Sequence, residues 1–144
     1  MPEGGVLRQA SHRISVGTHG KGLYPITDDV RAWLAQEGFS DGLLSLFCRH
    51  TSASLLINEN ADPDVRSDLA AYFERIAPEH GPYVHGAEGP DDMPAHIRAA
   101  LTQTHLSIPL ERGELLLGTW QGVYLFEHRR APQVRELALH CIGR

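Results

Sequence analysis

The sequence predicts an α+β fold, a single compact domain with a mostly antiparallel sheet and about three helices. Strand-like segments fill the start and the last third of the chain, while helical periodicity is confined to the middle. No repeat, low-complexity tract or plausible linker interrupts the 144 residues. A chain of that length buries roughly 68–70% of its unfolded surface around one core.

Residues 7 to 16, LRQASHRISV, alternate loosely and read as a first strand, followed by a glycine-rich connection, GTHGKGLYP. TDDVRAWLAQEG is an amphipathic helix: Thr27 or Asp28 caps it, Val30, Trp33 and Leu34 recur at helical spacing, and Gly38 stops it. GLLSLFC and SASLLIN are apolar runs of strand length. In NADPDVRSDLAAYFERIAPE, Asp62 is the N-cap and Pro63 takes the first helical position, where a missing N–H costs nothing. Val65, Leu69, Tyr72 or Phe73, and Ile76 mark its buried face. EHGPYVHGAEGP is loop, punctuated by glycine and proline. DDMPAHIRAALTQ follows as a short helix with Met93, Ile97, Ala100 and Leu101 inward. HLSIPL, ELLLG, GVYLFEHR and QVRELALHCI close the chain as strand-like segments separated by ERG, TWQ and RAP, which implies a meander.

Thirteen basic against eighteen acidic side chains give a formal charge of −5, with no basic block or stripe, which disfavours nucleic acid as a partner. No apolar run is long enough to span a bilayer, and MPEGGVLRQASHR lacks the charged-then-apolar order of a secretory leader, so a cytoplasmic protein without a membrane partner is expected. Cys48 and Cys141 sit inside apolar runs, where buried, reduced thiols are expected. Nine histidines bear most directly on function, because imidazole is the commonest metal ligand and titrates near neutrality.

Three clusters carry the chemistry. In HTSASLLINENADPD, His50 follows a strand run and can turn into a cleft; Thr51, Ser52 and Ser54 offer hydroxyls, and Asn58, Glu59 and Asn60 lie beyond the next run. The two strand mouths are expected to open at one place, although Asn60 and Asp62 equally suit a turn and a helix cap. In YVHGAEGPDDMPAHI, Asp92 and His96 are four apart and share a helix face, and His85 on a glycine-flanked loop is free to swing in as another metal ligand. The spacing of the two histidines matches no standard zinc signature. In GTWQGVYLFEHRRAP, Val123, Leu125 and Glu127 point one way and Tyr124, Phe126 and His128 the other. Trp120 suits a core or a substrate shelf, Gln121 an orienting hydrogen bond, and Arg129 a phosphate, through its planar fork. His12, His19, His80, His105 and His140 lack a companion in register and read as surface or ordinary core residues.

HTSASLLINENADPDVRSDL, YVHGAEGPDDMPAHI and LLLGTWQGVYLFEHR, in this order and separation, resemble the YjbQ family of small bacterial and archaeal proteins, from about residue 10 to the last strand. The resemblance implies a compact α+β homotrimer with a histidine cluster binding a divalent metal ion, often zinc, near the subunit boundary. It also implies a secondary thiamine-phosphate synthase activity, which joins a pyrimidine carried as its pyrophosphate to a thiazole phosphate and releases pyrophosphate. Carried over by motif, His50, His85 and His96 are the metal ligands, and Glu59, Asp62, Glu88, Asp91 and Asp92 are the matching acids, with Gln121 also corresponding. The chain departs from the family pattern at His105 and in its tail RRAPQVRELALH, which leaves open a phosphate-anchoring role for Arg129 or Arg135.

On this reading Glu59, Asp62 and Asp92 are candidate catalytic acids, and Thr51, Ser52, Asn58, Glu88, Gln121 and Arg129 contact a phosphorylated small-molecule substrate. Three neutral histidines leave a zinc-like ion an open position, as in catalytic rather than sealed structural sites. The ion would neutralise charge on a departing pyrophosphate while Glu59 or Asp92 takes a proton or orients the attacking atom. Hydrolysis of a phosphorylated or amide substrate needs the same parts with water as the attacker. A metal-stabilised ligand-binding trimer without catalysis is the rival of another class.

Overall fold

A computed structural model describes residues 5–144. The first four residues, which carry part of the leader expectation and of the single-domain span, lie outside the described residues. In chain order the elements are β1 (Arg8–Thr18), β2 (Gly22–Pro25), α1 (Thr27–Glu37), β3 (Gly42–Cys48), β4 (Ala53–Glu59), α2 (Pro63–Ile76), α3 (Asp92–Leu101), β5 (His105–Glu111), β6 (Glu114–Leu115), β7 (Gln121–Glu127) and β8 (Gln133–Gly143). They form two antiparallel sheets, one in the order β1-β8-β3-β5-β6 and one in the order β2-β7-β4.

The predicted C-terminal meander is not formed. Only β5 and β6 are neighbours; β7 is the centre of the small sheet and β8 lies between β1 and β3. Burial explains the separation. From Gly122 to Glu127 every residue of β7 is buried, so the strand needs cover on both faces, whereas β8 alternates and needs it on one. The glycine-rich connection after β1 holds the short strand β2, which pairs with Tyr124 to Glu127.

The core fills the space between the sheets and α1. Leu44, Leu46 and Cys48 of β3 meet Leu106, Ile108 and Leu110 of β5, Leu137 and Leu139 of β8, and Val123 and Leu125 of β7, with Val30, Trp33 and Leu34 closing it from α1. Gly38 ends α1 in the left-handed region, φ 74°, and its N–H reaches Leu34 and Ala35. The start of α1 differs from expectation. Neither Thr27 nor Asp28 caps it; Thr27 Oγ1 instead accepts the Val123 N–H at 2.9 Å and ties the helix to β7. Cys48 and Cys141 are unpaired, buried thiols, as expected.

The helices α2 and α3 confirm their expected ends but not their expected faces. Asp62 caps α2 by accepting the Asp64 N–H, with Pro63 at the first position. Of its apolar stripe only Phe73 is buried, edge-on against Phe126 with ring centroids 5.3 Å apart. In α3 the buried residues are Asp92, Pro94, Ala95, Arg98 and Ala99 rather than the predicted Met93, Ile97, Ala100 and Leu101. Polar anchors set this rotation: Asp92 turns in to meet Arg129, and Arg98 turns in to reach the Ala77 carbonyl. Among the described residues no helix is long and apolar enough to cross a membrane.

Candidate functional site

The loop into α3 positions the best-formed polar cluster. Gly89 adopts φ 103°, a conformation that strains any residue with a Cβ, and its carbonyl receives the Asp92 N–H as the helix begins. Asp91 and Asp92 follow, two acids at the positive end of a helix. Arg129, just past β7, clamps both. Its Nε donates to Asp91 at 3.0 Å, its Nη1 to Asp92 at 2.7 Å, and its Nη2 to the Glu88 carbonyl at 2.9 Å.

Asp92 uses its other oxygen for two histidines. His85 Nε2 donates to it at 2.6 Å and His96 Nε2 at 3.1 Å. Burial pushes the Asp92 carboxyl upward, but the His85 hydrogen bond and the Arg129 charge outweigh it and hold the group below the usual carboxylate range. Asp92 is 2% exposed, while the side chains of His85 and His96 stay open to solvent. One ligand atom from each of the three lies within 4.8 Å of the others. Two imidazoles and a carboxylate, the latter oriented from behind by a guanidinium, suit a divalent ion with positions left for other ligands.

Within one chain His50 stands apart from this cluster, whose members are His85, Asp92 and His96. Its Nε2 accepts the Glu136 backbone N–H at 2.8 Å, so the neutral ring carries its proton on Nδ1. To offer an Nδ1 lone pair to an ion, the ring would move that proton to Nε2, where it would face another donor. The Glu136 N–H therefore leaves His50 with a hydrogen-bond donor at Nδ1.

The first cluster also divides. The expectation that both mouths of β4 open at one place fails because a seven-residue strand is a rod roughly 20 Å long. His50, Thr51 and Ser52 lie before it, and Asn58, Glu59 and Asp62 at its far end. There the acids shape the turn into α2: Glu59 accepts from the N–H groups of Ala61 and Asp62, and Asp62 from that of Asp64. Asn58 accepts the Glu59 N–H and Gln121 the Gly118 N–H. Within one chain neither Glu59 nor Asp62 is brought to the histidine pair. Trp120 is exposed and is not a core residue.

Sequence reasoning overlooked the buried groups beneath the site. Glu127 and Arg135 pair between the sheets, with Thr18 Oγ1 donating to Glu127 at 2.6 Å. The only hint was an acid ending an apolar row. His128 faces the other way, buried, with Nε2 2.8 Å from Ser54 Oγ. Burial, then the charges of Arg98, Arg135 and Lys21, lower it from 6.5 to about 3. Between those values the unfolded chain binds a proton that the folded one refuses, so stability falls as pH drops through that window. Urea midpoints measured from pH 7 downward are expected to show this loss, flattened in His128→Gln; an equal slope in the variant would refute the assignment.

The family model described as UPF0047 protein YjbQ-like matches residues 12–144. A UPF0047 protein of Synechocystis is 50% identical over 138 residues, covering 95% of this chain and 94% of that protein. The UPF0047 protein YjbQ of Escherichia coli O157:H7 is 43% identical over 117 residues, covering 81% and 85%. Among solved structures, an uncharacterized YjbQ/UPF0047 family protein from Clostridium acetobutylicum superposes with a TM-score of 0.83 at 38% identity, covering 89% of this chain and 97% of that one.

Proposed function

This chain belongs to the YjbQ-like UPF0047 family, and from that membership we propose that the cluster at the head of α3 binds a divalent metal ion, zinc first, and acts on a phosphorylated small molecule. The convergence of one imidazole nitrogen from each of His85 and His96 with an Asp92 oxygen, all within 4.8 Å of one another, carries this reading. An ion held there supplies Lewis-acid stabilisation of charge on phosphoryl oxygens. The rest is the work of the chain. Arg129 fixes Asp92 so that one oxygen faces both imidazoles, and the exposed flanks of His85 and His96 leave a side for substrate to approach. The reaction we favour is transfer of a pyrimidine from its pyrophosphate to a thiazole phosphate; water in place of the thiazole would make the same site a hydrolase.

A homotrimer belongs to the same reading. Leu43, Phe47 and Ile142 on the outer face of the large sheet, and Tyr72 and Leu101 on the helices, are exposed apolar side chains that assembly would cover. Assembly is also the route by which Glu59 or Gln121 of a neighbouring subunit would reach a substrate held at the histidines.

Zinc loading of chelator-stripped protein, read by equilibrium dialysis and elemental analysis, tests the metal reading. His85→Ala and His96→Ala are expected to lose most of the bound zinc, and His50→Ala to keep it. Equal zinc in all three variants and the parent would end the proposal. The loaded parent is then incubated with phosphorylated metabolites, with release of phosphate and pyrophosphate as the readout, and its assembly is followed by sedimentation with and without chelator.

A further inference from the structure

A cleft of about 610 Å³ opens at the end of β3, and its walls include Arg49, His50, Thr51, Ser52, Thr104 and Arg135 with no aspartate or glutamate among them. Both arginines are paired with acids that lie outside those walls, Arg49 with Glu136 and Arg135 with Glu127, in a chain whose net charge is −5. One positive charge is left over around the cleft, because Arg13 and Arg49 share the single acid Glu136.

The hydrogen bonds around the cleft leave donors over. His50 Nε2 is spent on the Glu136 N–H, which puts a proton on Nδ1, and Nδ1 has no partner among the described residues. Nor is that nitrogen sealed in the interior, where among the described residues only Arg98 Nε and His128 Nδ1 are buried without partners. Arg135 is held by Glu127 through Nε and Nη2, and by the Ser52 carbonyl and hydroxyl through Nη2, so Nη1 remains for a ligand. Ser52 Oγ accepts from Arg135 and turns its own proton elsewhere. The Thr51 and Thr104 hydroxyls make no hydrogen bond among the described residues, although both line the cleft. Burial, then the Arg135 charge, keep the His50 ring below its ordinary histidine value, which preserves the neutral donor form.

We infer that this cleft is a binding site for the phosphoryl group of a small molecule, with His50 Nδ1–H, the Thr51 hydroxyl and Arg135 Nη1 as its donors. Two of these donors come from the β3–β4 connection and one from β8, and the Thr104 hydroxyl on the approach to β5 lines the same cleft. That spread suits a tetrahedral group with three terminal oxygens better than a planar carboxylate. The inference does not rest on the metal reading, because none of these residues belongs to the His85, Asp92 and His96 cluster.

Nuclear magnetic resonance of ¹⁵N-labelled protein titrated with inorganic phosphate, and separately with acetate, provides the test. Before any ligand, the His50 ring is expected to show its proton on Nδ1. Phosphate is expected to produce saturable shifts at that nitrogen and at the amides of residues 50–52, with acetate far weaker. Removing a hydrogen bond to a charged group gives about a tenfold loss of phosphate affinity in His50→Phe. Thr51→Val is expected to lose affinity in the same direction and serves if the first variant fails to fold. Chelator-stripped protein is expected to show the same phosphate shifts at His50 and residues 50–52 as untreated protein, which separates this cleft from the metal cluster. A proton on Nε2, acetate binding equal to phosphate, or unchanged affinity in both cleft variants would overturn the inference.

Discussion

Glu127→Ala is expected to destabilise the fold by about 3–5 kcal/mol, the cost of leaving one partner of a buried ion pair without the other. Glu127 is fully buried and accepts from Thr18 Oγ1, from Arg135 Nε and Nη2, and from the backbone N–H groups of His128 and Arg129. Alanine removes the acceptor from all of these donors and strands the Arg135 guanidinium, itself 5% exposed, between two sheets. Equilibrium urea unfolding reads the loss directly. The double variant Glu127→Leu with Arg135→Met is expected to recover much of it, since it removes both charges and fills the space with apolar atoms. A double variant as unstable as Glu127→Ala would show that the stranded charge is not the cause. Burial pushes the Glu127 carboxyl upward, yet the Arg135 and Thr18 hydrogen bonds hold it below its usual range. Its contribution is therefore present at neutral pH and lost as pH falls through that lowered value.

The second large effect is expected at Asp92. Asp92→Asn keeps the size of the side chain but removes the charge that faces His85, His96 and Arg129 together. Zinc affinity is expected to fall by at least about a hundredfold, more than for a residue that only orients a ligand. Isothermal titration of chelator-stripped protein measures it. The clamp should loosen as well, because Arg129 Nη1 loses an anionic partner, and the loop from Tyr83 to Asp91 is expected to become the first site of proteolytic cutting. Zinc bound by the asparagine variant as tightly as by the parent would remove Asp92 from the ligand set and leave two histidines, too few for the proposed site.

What could be read without coordinates was local. The Asp62-Pro63 start of α2, the Gly38 stop of α1, and the alternating runs of β3 and β5 depend on backbone geometry over a few residues. The Asp92 and His96 pairing is of the same kind, because four residues on a helix place two side chains on one face. His85 was found as well, since a glycine-flanked loop lets it reach that face.

Relations between segments far apart in sequence were settled only by the packed chain. Nothing local to HTSAS says that the Glu136 amide will meet the His50 ring; antiparallel pairing of β3 with β8 decides it, and with it which ring nitrogen carries the proton. Similarly, the turn of α3 that buries Asp92 and Arg98 instead of Met93 and Ile97 follows from the clamp of Arg129 and the Ala77 carbonyl, partners that hydrophobic periodicity does not contain. Sequence by itself determined the fold class, most of the elements and the family. The tertiary structure alone decided which polar atoms face one another, because a hydrogen bond depends on position and direction in space, and strand register and helix rotation set both.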